Sequence, residues 1–251
     1  MIIEYHRPDM IDETLSLLSR KSPTTVPLGG GTSLTRPSSE SFAVVDLQEL
    51  GLNKIVKTGR EINIGATVTL QQLLEVDDLL PALKKTIRLE ATYNIRNSAT
   101  TAGVLVGADG RSPFSTGMLA LSARLLFLPG NEQVFLGDFF PLRDHYRDGR
   151  LITSIVIPTN IKLAYHYVAR TPADLPIVCA SVAQWPSGRT RVALGGLGPS
   201  PVLAMDGPDP SGAELASRSV FEEAVDHWAG SDYRSEIAGI LVKRCLDELN
   251  G

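Results

Sequence analysis

The sequence predicts an α+β fold, and three observations lead to this prediction. The first part of the chain alternates short β-rich runs with helical segments, and Thr58-Gly59-Arg60 gives a hairpin signal. Three further β-rich runs then follow one another between residues 162 and 197. Two amphipathic segments with helical periodicity close the chain. Strands that cluster in this way, rather than alternating strictly with helices, indicate an α+β architecture.

The composition is that of an ordinary globular protein. The chain has 251 residues, of which 43% are hydrophobic and 21% charged, and its net charge is −4. A chain of this length and composition buries a core of its own. Its Lys and Arg residues are scattered, which argues against binding to nucleic acid or to an anionic membrane surface. The sequence shows neither a signal peptide nor an apolar run long enough to span a membrane, so we expect a cytoplasmic protein.

Cysteine and histidine are too sparse and too dispersed to predict a metal centre. Cys179 and Cys245 are the only cysteines, and each lies in an apolar stretch that predicts a buried, inert thiol. An iron–sulfur cluster needs about four thiolates, so this chain alone is not expected to hold one. The four histidines contain no close pair with the spacing of metal ligands. We therefore predict no metal site.

The first segment reads strand, helix, strand, glycine-rich loop, strand. A helix is predicted over residues 10–20, with Asp9 as its N-cap. Residues 24–28 are β-rich and lead directly into consecutive glycines. The apolar run 42–47 predicts a strand that is buried on both faces. Asp46, near the end of this run, is expected to cap the following turn.

The rest of the chain divides into two further segments. In the middle segment we expect a hairpin formed by 54–57 and 61–65, helices at 70–76 and 81–86, a polar loop at 94–104, a helix that begins at Pro113, and strands at 124–128, 133–136 and 151–158. In the last segment we expect strands at 162–169, 176–184 and 190–197, a surface crossing rich in Pro and Gly at 199–212, and helices at 214–228 and 233–249.

The first candidate functional element is the glycine loop, which we define as residues 29–34. Three consecutive glycines followed by Thr32 and Ser33 allow the backbone to approach a ligand closely and to direct successive amides into one concavity, as in phosphate-binding nests. The loop has neither the Gly-Lys-Ser/Thr ending of a P-loop nor the G-x-G-x-x-G spacing of a Rossmann fingerprint. Taken alone, it is equally compatible with a tight glycine turn after a strand.

The second candidate element, residues 95–104, identifies a family when it is read together with the glycine loop. Ile95-Arg96-Asn97-Ser98-Ala99-Thr100 and Pro27-Leu28-Gly29-Gly30-Gly31-Thr32-Ser33-Leu34 resemble the FAD-binding medium subunits of molybdenum hydroxylases of the carbon monoxide dehydrogenase and xanthine dehydrogenase type. Further runs typical of this family follow in the same order: Val45-Asp46-Leu47, Ile64-Gly65-Ala66, Gly149 to Pro158, and Ala193-Leu194-Gly195-Gly196-Leu197-Gly198-Pro199-Ser200-Pro201-Val202. The resemblance covers essentially the whole chain.

This resemblance implies a fold, a cofactor and a set of contacts. The fold is a PCMH-type FAD-binding domain at 1–158, with subdomains of about 1–52 and 53–158, and a carbon monoxide dehydrogenase flavoprotein-like C-terminal domain at 159–251, built of three antiparallel strands packed with helices. FAD lies extended between the two subdomains, and its pyrophosphate is held by the two loops. The implied FAD contacts are Leu28, Gly29, Gly30, Gly31, Thr32, Ser33, Leu34, Ile95, Thr100, Thr101, Ala102, Gly103, Val104, Ser112, Leu151 and Tyr167.

The chain departs from the family pattern mainly where the flavin would lie. The usual Thr-Ile-Gly-Gly-Asn is Thr100-Thr101-Ala102-Gly103-Val104, so one glycine has gained a methyl group and an amide side chain has become apolar. The family's Ser-Asp is Ser112-Pro113, and a common lysine is Tyr167. Each lost polar contact removes about 1 to 3 kcal/mol of binding free energy. These departures predict FAD binding that is weaker than is usual for the family.

The resemblance implies an oxidoreductase component that does not turn over substrate alone. A molybdopterin-containing large subunit would oxidise the substrate, and a small iron–sulfur subunit would pass electrons to FAD on this chain within a hetero-oligomer. No nucleophile or acid–base pair is evident in the sequence, which agrees with this role. One alternative is a structural subunit of the same fold with a weak or empty flavin site. A second is a stand-alone flavin oxidoreductase, such as an enolpyruvyl-UDP-glucosamine reductase, but the match through the last domain disfavours it.

Overall fold

The computed structural model describes residues 1–34, 40–146 and 149–251. Its strands are β1 (Ile2–His6), β2 (Thr25–Leu28), β3 (Phe42–Asp46), β4 (Ile55–Thr58), β5 (Glu61–Gly65), β6 (Arg124–Leu128), β7 (Glu132–Phe135), β8 (Leu151–Pro158), β9 (Lys162–Val168), β10 (Val178–Gln184), β11 (Thr190–Gly195) and β12 (Val202–Gly207). Its helices are α1 (Ile11–Leu18), α2 (Leu70–Leu74), α3 (Pro81–Glu90), α4 (Tyr93–Arg96), α5 (Thr101–Gly107), α6 (Pro113–Ala120), α7 (Leu136–Phe139), α8 (Ala213–Ser219) and α9 (Ser231–Asn250). The predicted α+β class is confirmed.

The chain forms two compact units, and the first comprises residues 1–76, 93–107 and 124–156. This unit contains a three-stranded parallel sheet in the order β1-β3-β2 and a five-stranded sheet in the order β4-β5-β8-β6-β7. The central strand β3 is buried along most of its length, as its continuous apolar run predicted. At its end, the Gln48 N–H donates to Asp46 Oδ1 at 3.0 Å, which confirms that Asp46 caps the turn.

The second unit comprises residues 77–92, 108–123 and 157–251. Its centre is a four-stranded antiparallel sheet in the order β12-β11-β10-β9. Helix α3 packs on β9, α6 packs on β10 and β11, and α9 packs on β9 and β10. Apolar side chains of the strands and of α9, among them Val182, Leu194 and Val242, are fully or almost fully buried in its core.

One buried cation holds the C-terminal helix in this second unit. The Arg234 side chain on α9 is 0% exposed, and its guanidinium donates to the carbonyl oxygens of Ile177 and Gly196. It also pairs with Asp226 at 2.7 Å. A guanidinium has five donors in a planar fork, so a single side chain satisfies several buried acceptors at once.

Several predicted elements agree with the structure, and others were wrong. Strands 124–128 and 151–158 have the predicted bounds, and α6 begins at Pro113 as predicted. The predicted surface crossing 199–212 instead contains a fourth strand, β12, because its backbone pairs with β11, with one register shift at Val192 and Ala193, and this pairing overrides the local abundance of Pro and Gly. Helix α8 ends at Ser219 rather than at residue 228, and the Asp226 carboxylate then accepts from the N–H groups of Trp228 and Ala229 in a turn.

Two further corrections concern helix starts. Helix α1 begins at Ile11 with Met10 as its N-cap, so the prediction of Asp9 as the cap was wrong by one position. The predicted polar loop 94–104 is largely helical, because α4 covers residues 93–96 and α5 begins at Thr101. The Thr100 hydroxyl accepts from the Gly103 N–H at 3.2 Å, which is the bond that an N-cap side chain makes.

The two units are interleaved along the chain, since each is built from three separate segments. The domain boundary at residue 158 that the family resemblance implied remains a prediction. Among the described residues, no helix is both long enough and apolar enough to cross a membrane.

Candidate functional site

The glycine loop and the second loop lie against each other in the first unit. A Cβ atom built on Gly30 would lie 1.5 Å from the carbonyl oxygen of Ser98, and one built on Gly29 would lie 2.6 Å from Thr100 Oγ1. At Gly30 the obstructing atom belongs to the backbone, so a side chain there would displace a loop, whereas at Gly29 a side chain would require the Thr100 side chain to shift. The structure therefore brings together the two elements that the sequence singled out.

Gly31 is required for a different reason. Its φ angle is +71°, in the left-handed region, whereas a Cβ atom there would meet only Leu28 Cδ1 at 3.4 Å. The position has space for a side chain, but its backbone conformation favours glycine. The glycine loop thus combines two positions of close backbone approach with one position of positive φ.

The hydrogen bonding of the backbone amides in the glycine loop bears on what the loop can bind. Among the described residues, none accepts a hydrogen bond from the backbone N–H groups of residues 29 to 34. These residues are half-buried or exposed rather than buried. The end of the loop also approaches α5, since a Cβ atom on Gly107 would lie 3.2 Å from Ser33 Oγ. Free N–H groups in a short glycine-rich turn form a surface suited to phosphate oxygens.

The second loop differs, because its amides are already engaged within the protein. The Thr101 N–H donates to the Val68 carbonyl at 2.8 Å, and the Gly103 N–H donates to Thr100 Oγ1. The Ala102 N–H makes a longer contact of 3.4 Å with the Ala66 carbonyl. The second loop therefore acts mainly as a support behind the glycine loop and offers fewer free donors.

The side chains of the predicted contacts differ in exposure. Thr101 is 0% exposed, Ala102 8% and Leu151 1%. Leu151 packs with Leu18 and Val45 in a hydrophobic cluster, so its side chain belongs to the core of the first unit. The predicted contacts with at least partial exposure in this unit are Leu28, Gly29, Gly30, Gly31, Thr32, Ser33, Leu34, Ile95, Gly103 and Val104.

Two predicted contacts, Ser112 and Tyr167, belong to the second unit. Ser112 is the N-cap of α6, and its hydroxyl accepts from the Ser115 N–H at 3.0 Å. Tyr167 is half-buried on β9, and its ring stacks on that of Tyr165 with a centroid distance of 6.0 Å. Tyr165 itself is buried, and burial raises the pKa of its phenol well above the usual value.

The sequence did not single out Glu90, the last residue of α3, which has an unusual environment. Its Oε2 atom accepts from the Ser112 hydroxyl at 2.7 Å and from the Phe114 N–H at 2.9 Å. Burial of this carboxyl group raises its pKa to about 7 despite these hydrogen bonds, and the nearby Asp109 adds to the rise. No sequence signal identified it, because its partners are 22 and 24 residues away.

Tyr93, Arg96 and Trp228 also stand out in the sequence, and each makes contacts within the protein. Tyr93 is 62% exposed, and the Arg96 guanidinium lies over its ring at 5.9 Å. Arg96 also donates to Gln71 at 3.1 Å, so it is held within the first unit. Trp228 is the last residue of the predicted helix 214–228, but it follows α8 in a turn, where the guanidinium groups of Arg111 and Arg170 lie over its ring.

Both cysteines are buried, as predicted. Burial raises the pKa of Cys179 to about 11 and that of Cys245 to about 12, so both remain protonated and unreactive near neutral pH. Among the described residues, no group of three or more His, Cys, Asp or Glu side chains is arranged to hold a metal ion.

The family of the chain follows from these elements together with a direct match. The family model described as "FAD binding domain in molybdopterin dehydrogenase" matches residues 1–160, which include both loops. The chain belongs to this family and is an oxidoreductase component whose cofactor is FAD. The family assignment that the sequence motifs suggested is confirmed.

Relatives match over nearly the whole chain. The carbon monoxide dehydrogenase medium chain of Afipia carboxidovorans is 27% identical and covers 97% of this chain and 95% of its own. The uncharacterized protein YgfM of Escherichia coli K12 is 26% identical, with 96% and 94% covered. Among solved structures, a chain of reconstituted CO dehydrogenase from Oligotropha carboxidovorans superposes with a TM-score of 0.82 at 25% identity and covers 98% of this chain and 97% of its own.

Proposed function

We propose that this chain is the FAD-binding electron-transfer subunit of a molybdenum hydroxylase complex. In this role it receives electrons from iron–sulfur centres on a small partner subunit and delivers them to an external acceptor, while a molybdopterin-containing large subunit oxidises the substrate. Family membership and the full-length similarity to a carbon monoxide dehydrogenase medium chain support this proposal. We propose a cytoplasmic hetero-oligomer.

The glycine loop carries the proposal. Its N–H groups, which donate to no other described residue, and its positive-φ Gly31 suit the diphosphate of FAD, and Gly29 and Gly30 allow the second loop to pack directly behind it. The backbone N–H groups of residues 29–34 would hold the diphosphate. The Thr32 and Ser33 hydroxyls belong to the same loop and would add side-chain donors. A substitution that changes only a side chain leaves these backbone donors in place.

The second loop would fix the shape of the glycine loop rather than bind most of the ligand. Its own amides are anchored to the carbonyls of Ala66 and Val68, and its Thr100 hydroxyl lies against Gly29. When bound, FAD supplies the redox chemistry, and the protein contributes binding and orientation. The described residues therefore fit the cofactor of the family at its diphosphate end.

The alternative is a structural subunit of the same fold with a weak or empty flavin site. Two observations favour it: Ala102 and Val104 have replaced a glycine and an amide side chain of the family pattern, and the amides of Thr101 to Gly103 are engaged within the protein. This alternative predicts the same partners but no flavin.

Purification of the complex from its own cells tests the proposal. A tagged, full-length chain is isolated under native conditions, and the complex is analysed for molybdenum, iron and flavin. We expect all three to elute together, and bound flavin to be reduced when substrate is added to the complex. Elution with the two metals but without flavin would favour the structural alternative. A chain that elutes alone, without metals, would contradict both.

A further inference from the structure

A short backbone bridge fixes the second loop to the start of helix α2 within the first unit. Thr69 and Thr100 form an isolated antiparallel bridge. On one side of it, the Leu70 N–H donates to the Ala99 carbonyl at 2.9 Å. On the other side, the Thr101 N–H donates to the carbonyl of the residue before Thr69 at 2.8 Å. The second loop is therefore held through its backbone at the point where α2 begins.

The residues of the second loop that flank this bridge are the ones that contact the glycine loop. The Ser98 carbonyl oxygen occupies the position that a Cβ atom on Gly30 would need, and Thr100 Oγ1 lies against Gly29. A continuous series of contacts thus runs from residues 68–70 through the second loop to the glycine loop. All of these residues belong to the first unit.

Thr69 is itself locked in place by a capping box. Its hydroxyl accepts from the Gln72 N–H at 3.1 Å, and its own N–H donates to Gln72 Oε1 at 2.9 Å. Its backbone is extended, with φ −76° and ψ 156°, which suits both an N-cap and a bridge residue. Helix α2 has only five residues, so its start depends on capping and on tertiary contacts.

Helix α2 holds the second loop at one further place. Gln71 Oε1 accepts from Arg96 Nε at 3.1 Å, and Gln71 Nε2 donates to Glu75 Oε1 at 2.9 Å. Arg96 lies near the start of the second loop, whereas the bridge lies in its middle. The position of α2 therefore sets the position of both parts of the loop.

We propose that Thr69 is a positioning residue for FAD binding: its capping box keeps the bridge closed and so keeps the second loop packed behind Gly29 and Gly30. The identity of the ligand rests on the proposed function. Without the Thr69 hydroxyl the short helix frays at its start, and the bridge opens in a larger fraction of the molecules. The apparent affinity for FAD falls with the fraction that remains closed.

The test measures the dissociation constant of FAD for the full-length apo-protein by quenching of flavin fluorescence. Thr69→Val keeps the shape of the side chain but removes the acceptor, and we expect its affinity to fall about fivefold, which corresponds to the usual contribution of one N-cap side chain. Thr69→Ser keeps the acceptor and should bind FAD like the wild type. Gln72→Ala removes the other half of the capping box and should weaken binding in the same direction.

A second readout reports on the bridge itself. The Leu70 side chain is 0% exposed, and Leu70 is not one of the predicted FAD contacts. Hydrogen exchange of its amide should be faster in apo Thr69→Val than in the apo wild type, and FAD should slow this exchange in the wild type. Gly59→Ala is the control for general destabilisation of the first unit, because its positive φ of +59° lies in open surroundings. It should leave the FAD affinity unchanged.

The outcomes separate this proposal from the proposed function. Wild-type affinity in both Thr69→Val and Gln72→Ala overturns the role of Thr69 and leaves the proposed function intact. The same follows when Thr69→Ser binds as weakly as Thr69→Val, or when Gly59→Ala loses as much affinity. Failure of the wild-type protein to bind FAD overturns both proposals. The Gln72 side chain is exposed, so the test does not depend on the folding of Thr69→Val alone.

Discussion

The Ser98 carbonyl oxygen fills the position that a side chain on Gly30 would need, since a Cβ atom there would lie 1.5 Å from it. Both groups are backbone, so neither moves aside without moving its loop. This contact joins two segments that are far apart in sequence and gives the glycine loop a fixed support.

Gly30→Ala should therefore disturb the site more than Gly31→Ala. The first substitution forces the two loops apart, and we expect a loss of about 1 to 3 kcal/mol of stability together with loss of FAD retention. The second introduces a side chain at positive φ with space around it, which costs about 1 to 2 kcal/mol and leaves the loop contact intact. The measurements are urea unfolding and flavin content after desalting.

Gly59→Ala is the matched control for these two variants. Its φ angle is +59° and no atom lies within 4 Å of a Cβ atom there, so it should show the strain of positive φ without any change in flavin content. Unchanged flavin content and stability in Gly30→Ala would contradict the loop contact.

Val104→Asn should restore part of the flavin affinity that the departures from the family pattern predict to be lost. Val104 is half-buried on α5, directly after the exposed Gly103. One recovered hydrogen bond of about 1 to 1.5 kcal/mol corresponds to an affinity about tenfold higher. Val106→Asn on the same helix should give no gain. Equal affinities in the wild type and in Val104→Asn would indicate that this position does not face the ligand.

The stability of the apo-protein should depend on Glu90 in a defined pH range. Burial raises its pKa in the folded state from the ordinary value of 4.5 to about 7, so the folded state binds the proton more tightly than the unfolded state. Stability from this group is fully present below about pH 4.5 and is lost as the pH rises through about 7.

Glu90→Gln removes this titration. Relative to the wild type, the variant should therefore gain stability as the pH rises, up to about 3 kcal/mol above neutral pH. Urea unfolding at about pH 5 and at about pH 8.5 measures the difference. A constant difference between the two proteins at both pH values would show that Glu90 does not titrate in this range.

Arg234→Met should strongly destabilise the second unit. The guanidinium is fully buried, and its removal leaves the carbonyls of Ile177 and Gly196 without this donor and takes the cationic partner away from Asp226. Breaking a buried pair of this kind costs about 3 to 5 kcal/mol. Arg244→Met on the exposed face of the same helix should change stability by less than about 0.5 kcal/mol. Thermal unfolding measures both variants, and similar melting temperatures would contradict the role of Arg234.

Much of the fold could be predicted from the sequence, because apolar patterns and turn residues are local signals. Strand 151–158 is rich in Leu, Ile and Val, and the hairpin of β4 and β5 turns at Gly59. Strand β12 was missed because its stability comes from pairing with β11 rather than from its own Pro- and Gly-rich surroundings. Helices α4 and α5 were missed because each is short and depends on capping and on tertiary contacts.

The candidate site was only partly accessible from the sequence. Both loops were identified from their residue types, but their contact at Gly30 and Ser98 depends on three-dimensional packing. The engagement of the second loop's amides by Ala66 and Val68 also has no local signature. Glu90 could not be distinguished from other glutamates on amphipathic helices, because its properties come from burial and from partners 22 and 24 residues further along the chain.

The interleaving of the two units has a consequence for how such a chain is divided or recombined. A fragment that ends at residue 158 would contain α3 and α6 but not β9, β10 and β11, on which those helices pack. The apolar faces of α3 and α6 would then be exposed to water. The C-terminal fragment would in turn lack these two helices, which pack on its sheet. Neither fragment would therefore fold independently. Chimeras that join parts of two relatives at this point should aggregate. Replacement of the whole chain keeps the packing of these helices on their strands.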